Sequence, residues 1–110
     1  MRAPYNDVRA IETIAENNNE VVAILVEPVL GEGGIVVPDD GYLPALRRIC
    51  DAQGWLLMLD EVQTGNGRTG RYFRRTNISV YCPTSPTLAK GLANGLPIGA
   101  CLLAASPRRR

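Results

Sequence analysis

Two side chains in this sequence have the chemistry to handle amines and carbonyls, namely Lys90 and Asp60. Lys90 is the only lysine of the chain, and Gly91 follows it directly. Asp60 ends an apolar run that begins at Trp55, so it is expected where a buried strand emerges. An amine forms an imine with an aldehyde, and a carboxylate keeps a ring nitrogen protonated so that the ring accepts electrons. The pair therefore predicts a site for pyridoxal phosphate.

The apolar pattern predicts alternating helices and strands that would position these two residues. A helix capped by Asn6-Asp7 precedes a β-branched strand over 21–26. A second helix, between Asp39-Asp40 and Gly54, precedes a strand over 55–59. Both strands are uninterrupted apolar runs, which predicts that both of their faces are covered. A strand–helix–strand crossover of this length implies parallel pairing, and ligands bind at the carboxyl edge of such sheets. We therefore expect an α/β fold with a mainly parallel sheet flanked by helices.

Composition excludes several classes of protein. The 110 residues are 45% hydrophobic and 21% charged with a net charge of +1, which gives no case for nucleic-acid binding. Histidine is absent, so the chain has no Ser-His or Cys-His triad. The longest apolar runs are six residues, whereas a membrane helix needs roughly 20, and no signal peptide is recognisable. Three cysteines without metal-type spacing indicate reduced thiols in a cytoplasmic protein.

Three segments in order resemble the motifs of the class III pyridoxal-phosphate-dependent aminotransferases. Residues 26–34, 59–70 and 87–92 read Val-Glu-Pro-Val-Leu-Gly-Glu-Gly-Gly, Leu-Asp-Glu-Val-Gln-Thr-Gly-Asn-Gly-Arg-Thr-Gly and Thr-Leu-Ala-Lys-Gly-Leu. The resemblance covers residues 4–73 and 87–104, and within the family it is to the subgroup that acts on acetylornithine and ornithine. It implies the large domain of the fold type I transferases.

The resemblance also implies a role for each of five residues. Lys90 would hold the cofactor aldehyde as an imine and then move a proton between the substrate Cα and the cofactor. Asp60 would pair with the pyridinium nitrogen, Val62 would pack on one face of the ring, and Gln63 would hydrogen-bond its phenolic oxygen. Glu32 would pair with an arginine that reads the substrate. No metal ion is expected.

The activity implied by the resemblance is transfer of an amino group from N-acetylornithine, or a related ω-amino donor, to 2-oxoglutarate in arginine biosynthesis. The enzyme would be a cytoplasmic homodimer with small-molecule substrates. Residues 1–110 look like an interior fragment of the large domain, since two strands and one crossover are fewer than such sheets contain. The family's phosphate-binding turn and substrate arginine are not recognisable here, so we expect this piece alone to bind the cofactor poorly and to be inactive.

Two stretches, 74–86 and 106–110, depart from the family pattern. Residues 83–86 read Pro-Thr-Ser-Pro, which is what GC-rich codons for Pro-Asp-Val-Pro give when read one base out of frame. A pair of compensating frameshifts would explain the first stretch, and resequencing the DNA would test that hypothesis. Pro83 and Pro86 are also expected to weaken the strand that precedes Lys90.

Two other interpretations stay open at this point. The apolar run followed by Asp60 and Glu61 also fits the magnesium-binding strand of a nucleotide hydrolase, although the required Gly-Lys-Ser/Thr loop is missing. The chain could instead be a decayed, non-catalytic fragment or a module for subunit contact. Labelling of Lys90 by pyridoxal phosphate and borohydride separates these alternatives.

Overall fold

The computed structural model describes residues 1–72 and 83–103, which form a four-stranded sheet and two α-helices. The elements in chain order are α1 (Val8–Asn17), β1 (Ala23–Val26), α2 (Tyr42–Gln53), β2 (Leu56–Asp60), β3 (Ser85–Leu88), a 3-10 turn (Lys90–Ala93) and β4 (Ala100–Cys101). The strand order is β1-β2-β3-β4, in which the first three strands are parallel and β4 is antiparallel to β3. The expected α/β fold with a mainly parallel sheet is confirmed.

The ends of both helices follow from local chemistry. Asp7 caps α1, because its side-chain Oδ1 accepts a hydrogen bond of 3.0 Å from the backbone N–H of Ala10. Gly54 ends α2 in the left-handed conformation, with φ of 71°, and donates its backbone N–H to the carbonyl of Cys50. Of the predicted pair Asn6-Asp7 the structure selects Asp7 as the cap of α1, and the predicted cap of α2 at Gly54 is confirmed.

The hydrophobic core lies between the two helices and one face of the sheet. Leu43, Leu46 and Cys50 of α2 and Leu57 of β2 have no exposed surface. Side chains from α1, from the ends of the strands and from the start of α2 complete the cluster, namely Ile11, Val26, Tyr42, Trp55 and Leu59. The crossover through α2 makes β1 and β2 parallel, so their carboxyl ends lie at the same edge of the sheet.

The described residues cover only one face of β1 and β2, so the prediction that both faces are covered stays a prediction. Leu25 of β1 is 65% exposed and Leu56 of β2 is 44% exposed. The reason is that the core packs on the face that carries Leu57 and Leu59, while alternate residues of a strand point to the opposite face. An apolar run alone does not show how many faces have a partner.

The strand before Lys90 forms with a proline inside it. Of the stretch 74–86, only residues 83–86 are described, and residues 74–82 and 106–110 lie outside the described part. Pro86 lies within β3, and its carbonyl accepts a hydrogen bond of 3.0 Å from the backbone N–H of Leu102. Thr84, just before β3, exchanges two hydrogen bonds with Leu57, one through its backbone N–H and one through its hydroxyl. β3 is thus paired with β2 and with β4 despite its missing N–H.

The structure also bears on membranes and metals. Within residues 1–72 and 83–103, no helix has the length and apolar content needed to cross a membrane. The same residues contain no cluster of three or more metal-ligating side chains.

Candidate active site

The carboxyl ends of β1, β2 and β3 lie at one edge of the sheet because the three strands are parallel. Asp60 is the last residue of β2 and stands in register with Thr87 of β3. Lys90 begins the 3-10 turn two residues after β3 ends. An acid and an amine therefore follow the ends of neighbouring strands, and Glu32 lies in the loop after β1.

Asp60 is held by two donors that both reach the same oxygen. Its Oδ1 accepts hydrogen bonds from the backbone N–H of Val62 at 3.1 Å and from the hydroxyl of Thr87 at 3.2 Å. Its Oδ2 has no hydrogen-bond partner among the residues that the structure describes. A fixed carboxylate with one free oxygen suits a cationic ring N–H, since charge-assisted hydrogen bonds are the strong ones. Asp60 thus fits the nitrogen end of pyridoxal phosphate.

Lys90 presents its amine beside an acid at the rim of the site. Its Nζ lies 3.6 Å from Glu32 Oε1, and the two side chains are 49% and 87% exposed. Such an exposed pair holds the amine only weakly, because water screens the attraction. Lys90 itself has a φ of 47°, a left-handed conformation that residues other than glycine seldom adopt. The amine is therefore accessible to an aldehyde, and its backbone is held in an unusual conformation.

Gln63 joins the loop after β2 to the loop after β1. It is half-buried and lies so close to Gly31 that a Cβ at Gly31 would be 3.0 Å from Gln63 Cγ. The backbone N–H of Gly31 in turn donates a hydrogen bond of 2.9 Å to Glu27 Oε2. These contacts place Glu32, Gln63 and Val62 in adjoining loops at the same edge as Asp60.

The loop that follows Asp60 is anchored by a buried acid and a tightly packed glycine. Glu61 is 1% exposed and accepts a hydrogen bond from the hydroxyl of Thr64. A Cβ at Gly65 would lie 2.7 Å from Leu88 Cδ2 and 2.8 Å from the carbonyl oxygen of Glu61, closer than real contacts allow. Glycine is required at this position because the loop packs directly on the end of β3.

All five residues that the sequence singled out for chemistry lie at strand ends or in loops along one edge of the sheet, and their roles stay predictions. The structure also adds two residues that were not singled out. Thr87 contacts Asp60, and the side-chain amide of Asn66 donates a hydrogen bond of 3.1 Å to the carbonyl of Ala89. Their sequence signal is weak, because a threonine in a strand and an asparagine between glycines are common.

Comparison with known proteins defines the class of protein. Residues 2–110 match the family model described as Aminotransferase class-III. The chain belongs to the class III aminotransferases, a family of pyridoxal-phosphate-dependent enzymes. The family expected from the three motifs is confirmed, and the nucleotide-hydrolase alternative is left without support.

Within this family, the chain is similar to proteins named acetylornithine aminotransferase. The acetylornithine aminotransferase of Nitrosomonas europaea is 57% identical over 102 residues, which are 93% of this chain and 26% of that protein. The structure of N-acetylornithine aminotransferase from Stenotrophomonas maltophilia superposes with a TM-score of 0.83 at 42% identity, over 92% of this chain and 27% of that one.

A third relative contains the cofactor. The ornithine aminotransferase from Toxoplasma gondii, crystallized with oxidized glutathione, has PLP at partial occupancy in its active site. It superposes with a TM-score of 0.80 at 38% identity, over 91% of this chain and 23% of that one. The chain thus spans about a quarter of the length of the relatives that it matches.

Proposed function

We propose that this chain supplies the ring-binding acid and the reactive lysine of an aminotransferase. The reaction is transfer of an amino group from N-acetylornithine, or a related ω-amino donor such as ornithine, to 2-oxoglutarate, as a step of arginine biosynthesis. The protein that contains this chain would act as a homodimer in the cytoplasm. Relatives that carry the acetylornithine aminotransferase name, at 49–57% identity, support this choice of donor.

The observation that carries the proposal is the position of Asp60 beside the strand that leads to Lys90. Asp60 stands in register with Thr87, and Lys90 follows three residues later at the same edge of the sheet. When bound, pyridoxal phosphate supplies an aldehyde that takes up amino groups. Its ring delocalises the electron pair that remains when the Cα–H bond of the substrate breaks. In the proposal, Asp60 holds the ring nitrogen and Lys90 binds the aldehyde carbon and moves the proton at the substrate Cα.

Three other side chains have supporting roles in the proposal. Val62, next to the Asp60 carboxylate that it hydrogen-bonds through its backbone, packs on one face of the ring. Gln63, between Asp60 and the Gly31 loop, donates to the phenolic oxygen. Glu32 pairs with the arginine that recognises the substrate, and its Oε1, 3.6 Å from Lys90 Nζ, supports a position for it beside the reactive amine.

Covalent labelling tests the proposal directly. The experiment uses the longest chain that the gene encodes, which we call the gene product. Pyridoxal phosphate is added to it, and the bond between amine and aldehyde is then reduced with borohydride. Peptide mapping should find the pyridoxyl group on Lys90, and a Lys90→Ala variant should carry none. The activity of that variant should fall by at least about 10²-fold, the usual contribution of a positioned proton-transfer group.

The amino donor is tested with the same gene product. N-acetylornithine, ornithine and 4-aminobutyrate are each supplied with 2-oxoglutarate, and glutamate formation is measured. We expect the highest kcat/KM with N-acetylornithine. A gene product that carries no label on Lys90 and forms no glutamate with any donor would support the decayed, non-catalytic alternative instead.

A further inference from the structure

Asn66 lies against both neighbours of Lys90. Its side-chain Nδ2 donates a hydrogen bond of 3.1 Å to the carbonyl of Ala89, which is the peptide group that leads into Lys90. On the other side, a Cβ added at Gly91 would be 3.5 Å from Asn66 Cβ, so the stem of Asn66 lies beside Gly91. One side chain from the loop after β2 thus hydrogen-bonds the residue before the lysine and lies beside the residue after it.

The backbone at Lys90 needs such support. Its φ of 47° lies in the left-handed region, where a lysine is disfavoured because its Cβ approaches the following carbonyl oxygen. The carbonyl of Ala89 accepts a second hydrogen bond, of 3.1 Å, from the backbone N–H of Leu92, so both of its lone pairs are used. A peptide group held by two donors cannot rotate freely, and that restricts φ at Lys90.

The loop that carries Asn66 is held in place by a backbone hydrogen bond and by close packing. Gly65, directly before it, donates its backbone N–H to the carbonyl of Glu61 at 2.8 Å and packs against Leu88 with no room for a side chain. Asn66 has a φ of 55°, a left-handed conformation that asparagine tolerates better than most residues. The amide of Asn66 is therefore presented from a fixed position on the end of β3.

We infer that Asn66 is a positioning residue for Lys90, whose amide holds the Ala89–Lys90 peptide so that the amine is aimed at the cofactor aldehyde. It acts through the lysine backbone and does not touch the cofactor or the substrate. This inference depends on the proposed function, in which Lys90 binds the aldehyde.

Two substitutions at Asn66 distinguish the effect of its side-chain amide from the effect of its left-handed backbone conformation. Asn66→Asp keeps the shape and the tolerance for a left-handed φ but replaces the donating amide with an acceptor. Asn66→Gly keeps the backbone conformation and removes the side chain altogether. Asn94→Asp is the matched control, because Asn94 is also left-handed, with φ of 50°, and its side chain makes no hydrogen bond in the described part of the chain.

The readouts are the rate at which pyridoxal phosphate becomes attached to Lys90 in the gene product and the midpoint pH of the absorbance change of the attached cofactor. In both Asn66 variants we expect attachment to slow by about 2- to 12-fold, the range that one lost hydrogen bond implies. The midpoint should also shift beyond the spread of replicate titrations, because the amine has moved relative to the charges around it. Asn94→Asp should match the wild type in both measurements.

Other results would overturn the inference. Wild-type rates and midpoints in both Asn66 variants would do so, as would a response of Asn66→Asp alone, which would indicate an effect of the added charge. An equal response of Asn94→Asp would show that the turn is sensitive to any change. If the wild-type gene product carries no label on Lys90, the proposed function fails and this inference fails with it. A labelled wild type with unaffected Asn66 variants refutes only the inference.

Discussion

The hydroxyl of Thr87 lies 3.2 Å from Asp60 Oδ1 and joins the ends of β2 and β3. The backbone reinforces this link, because the N–H of Glu61 donates a hydrogen bond of 3.0 Å to the carbonyl of Thr87. Thr87 therefore contacts the proposed ring-binding acid through its side chain, three residues before the proposed reactive lysine. A change in either strand end would be transmitted to the other.

Replacing Thr87 with valine should weaken cofactor binding without unfolding the strand. Valine keeps the β-branched shape but removes the donor to Asp60, a loss of about 1 kcal/mol or roughly fivefold in Kd. The Kd of pyridoxal phosphate for the gene product, measured by fluorescence titration, checks this. Thr87→Ser retains the hydroxyl and should bind nearly as well as the wild type; equal affinity of the valine variant would contradict the link.

Replacing Asp60 with asparagine should have a larger effect than the change at Thr87. Asparagine can still accept hydrogen bonds from Val62 and Thr87, but it has no charge to pair with the pyridinium. The loss of a charge-assisted hydrogen bond, about 1.5–3 kcal/mol, corresponds to roughly 10- to 150-fold weaker cofactor binding. The same titration measures it, with Asp39→Asn in the exposed loop before α2 as a matched control. An Asp60→Asn variant that binds like this control would exclude Asp60 as the ring-binding acid.

Replacing Gly65 with alanine should destabilise the fold. The added Cβ would meet the side chain of Leu88 and the backbone carbonyl of Glu61, and the latter cannot move without shifting the loop. Overpacking of this kind costs about 1–3 kcal/mol, which urea unfolding of the gene product would measure. Gly33→Ala is the control, since its Cβ would meet only Leu30 Cδ2 at 3.4 Å. Equal stability of the two variants would show that the loop adapts.

The thiol of Cys50 should be unreactive in the folded protein. Burial raises the pKa of Cys50 from its ordinary value of 9.0 to about 11, with Asp51 adding to the shift and Arg47 opposing it. The thiolate fraction near pH 8 is then about 100-fold lower than for an ordinary thiol, and access is blocked as well. Native iodoacetamide labelling with mass spectrometry should modify exposed Cys101 and spare Cys50, whereas labelling in urea should modify both.

The same pKa shift predicts a dependence of stability on pH. The unfolded thiol ionises near pH 9 and the folded thiol near pH 11, so the unfolded state loses its proton first. The contribution of Cys50 to the free energy of unfolding is therefore complete below about pH 9 and is lost progressively as the pH rises to about 11. Urea unfolding at several pH values should show this decline, and a Cys50→Ala variant should show less of it.

The helix ends and the position of Asp60 were predictable because they depend on residues that are close in sequence. Asp7 and Gly54 cap the helices by contacts within a few residues, and sequence patterns report such contacts well. The position of Asp60 at a strand end followed from the apolar run before it. Thr87 and Asn66 were missed because their partners, Asp60 and the carbonyl of Ala89, are 27 and 23 residues away in sequence.

The sequence by itself determined the family, the α/β class and the parallel edge that carries Asp60 and Lys90, since motif order, apolar periodicity and crossover length are all properties of the linear chain. Only the tertiary structure decided which face of the sheet the two helices cover and that the side chain of Asn66 hydrogen-bonds the carbonyl of Ala89, just before Lys90. The physical reason is that packing and hydrogen bonding across strands depend on strand register and on which elements are in contact. The spacing of residues along the sequence specifies neither the register nor these contacts.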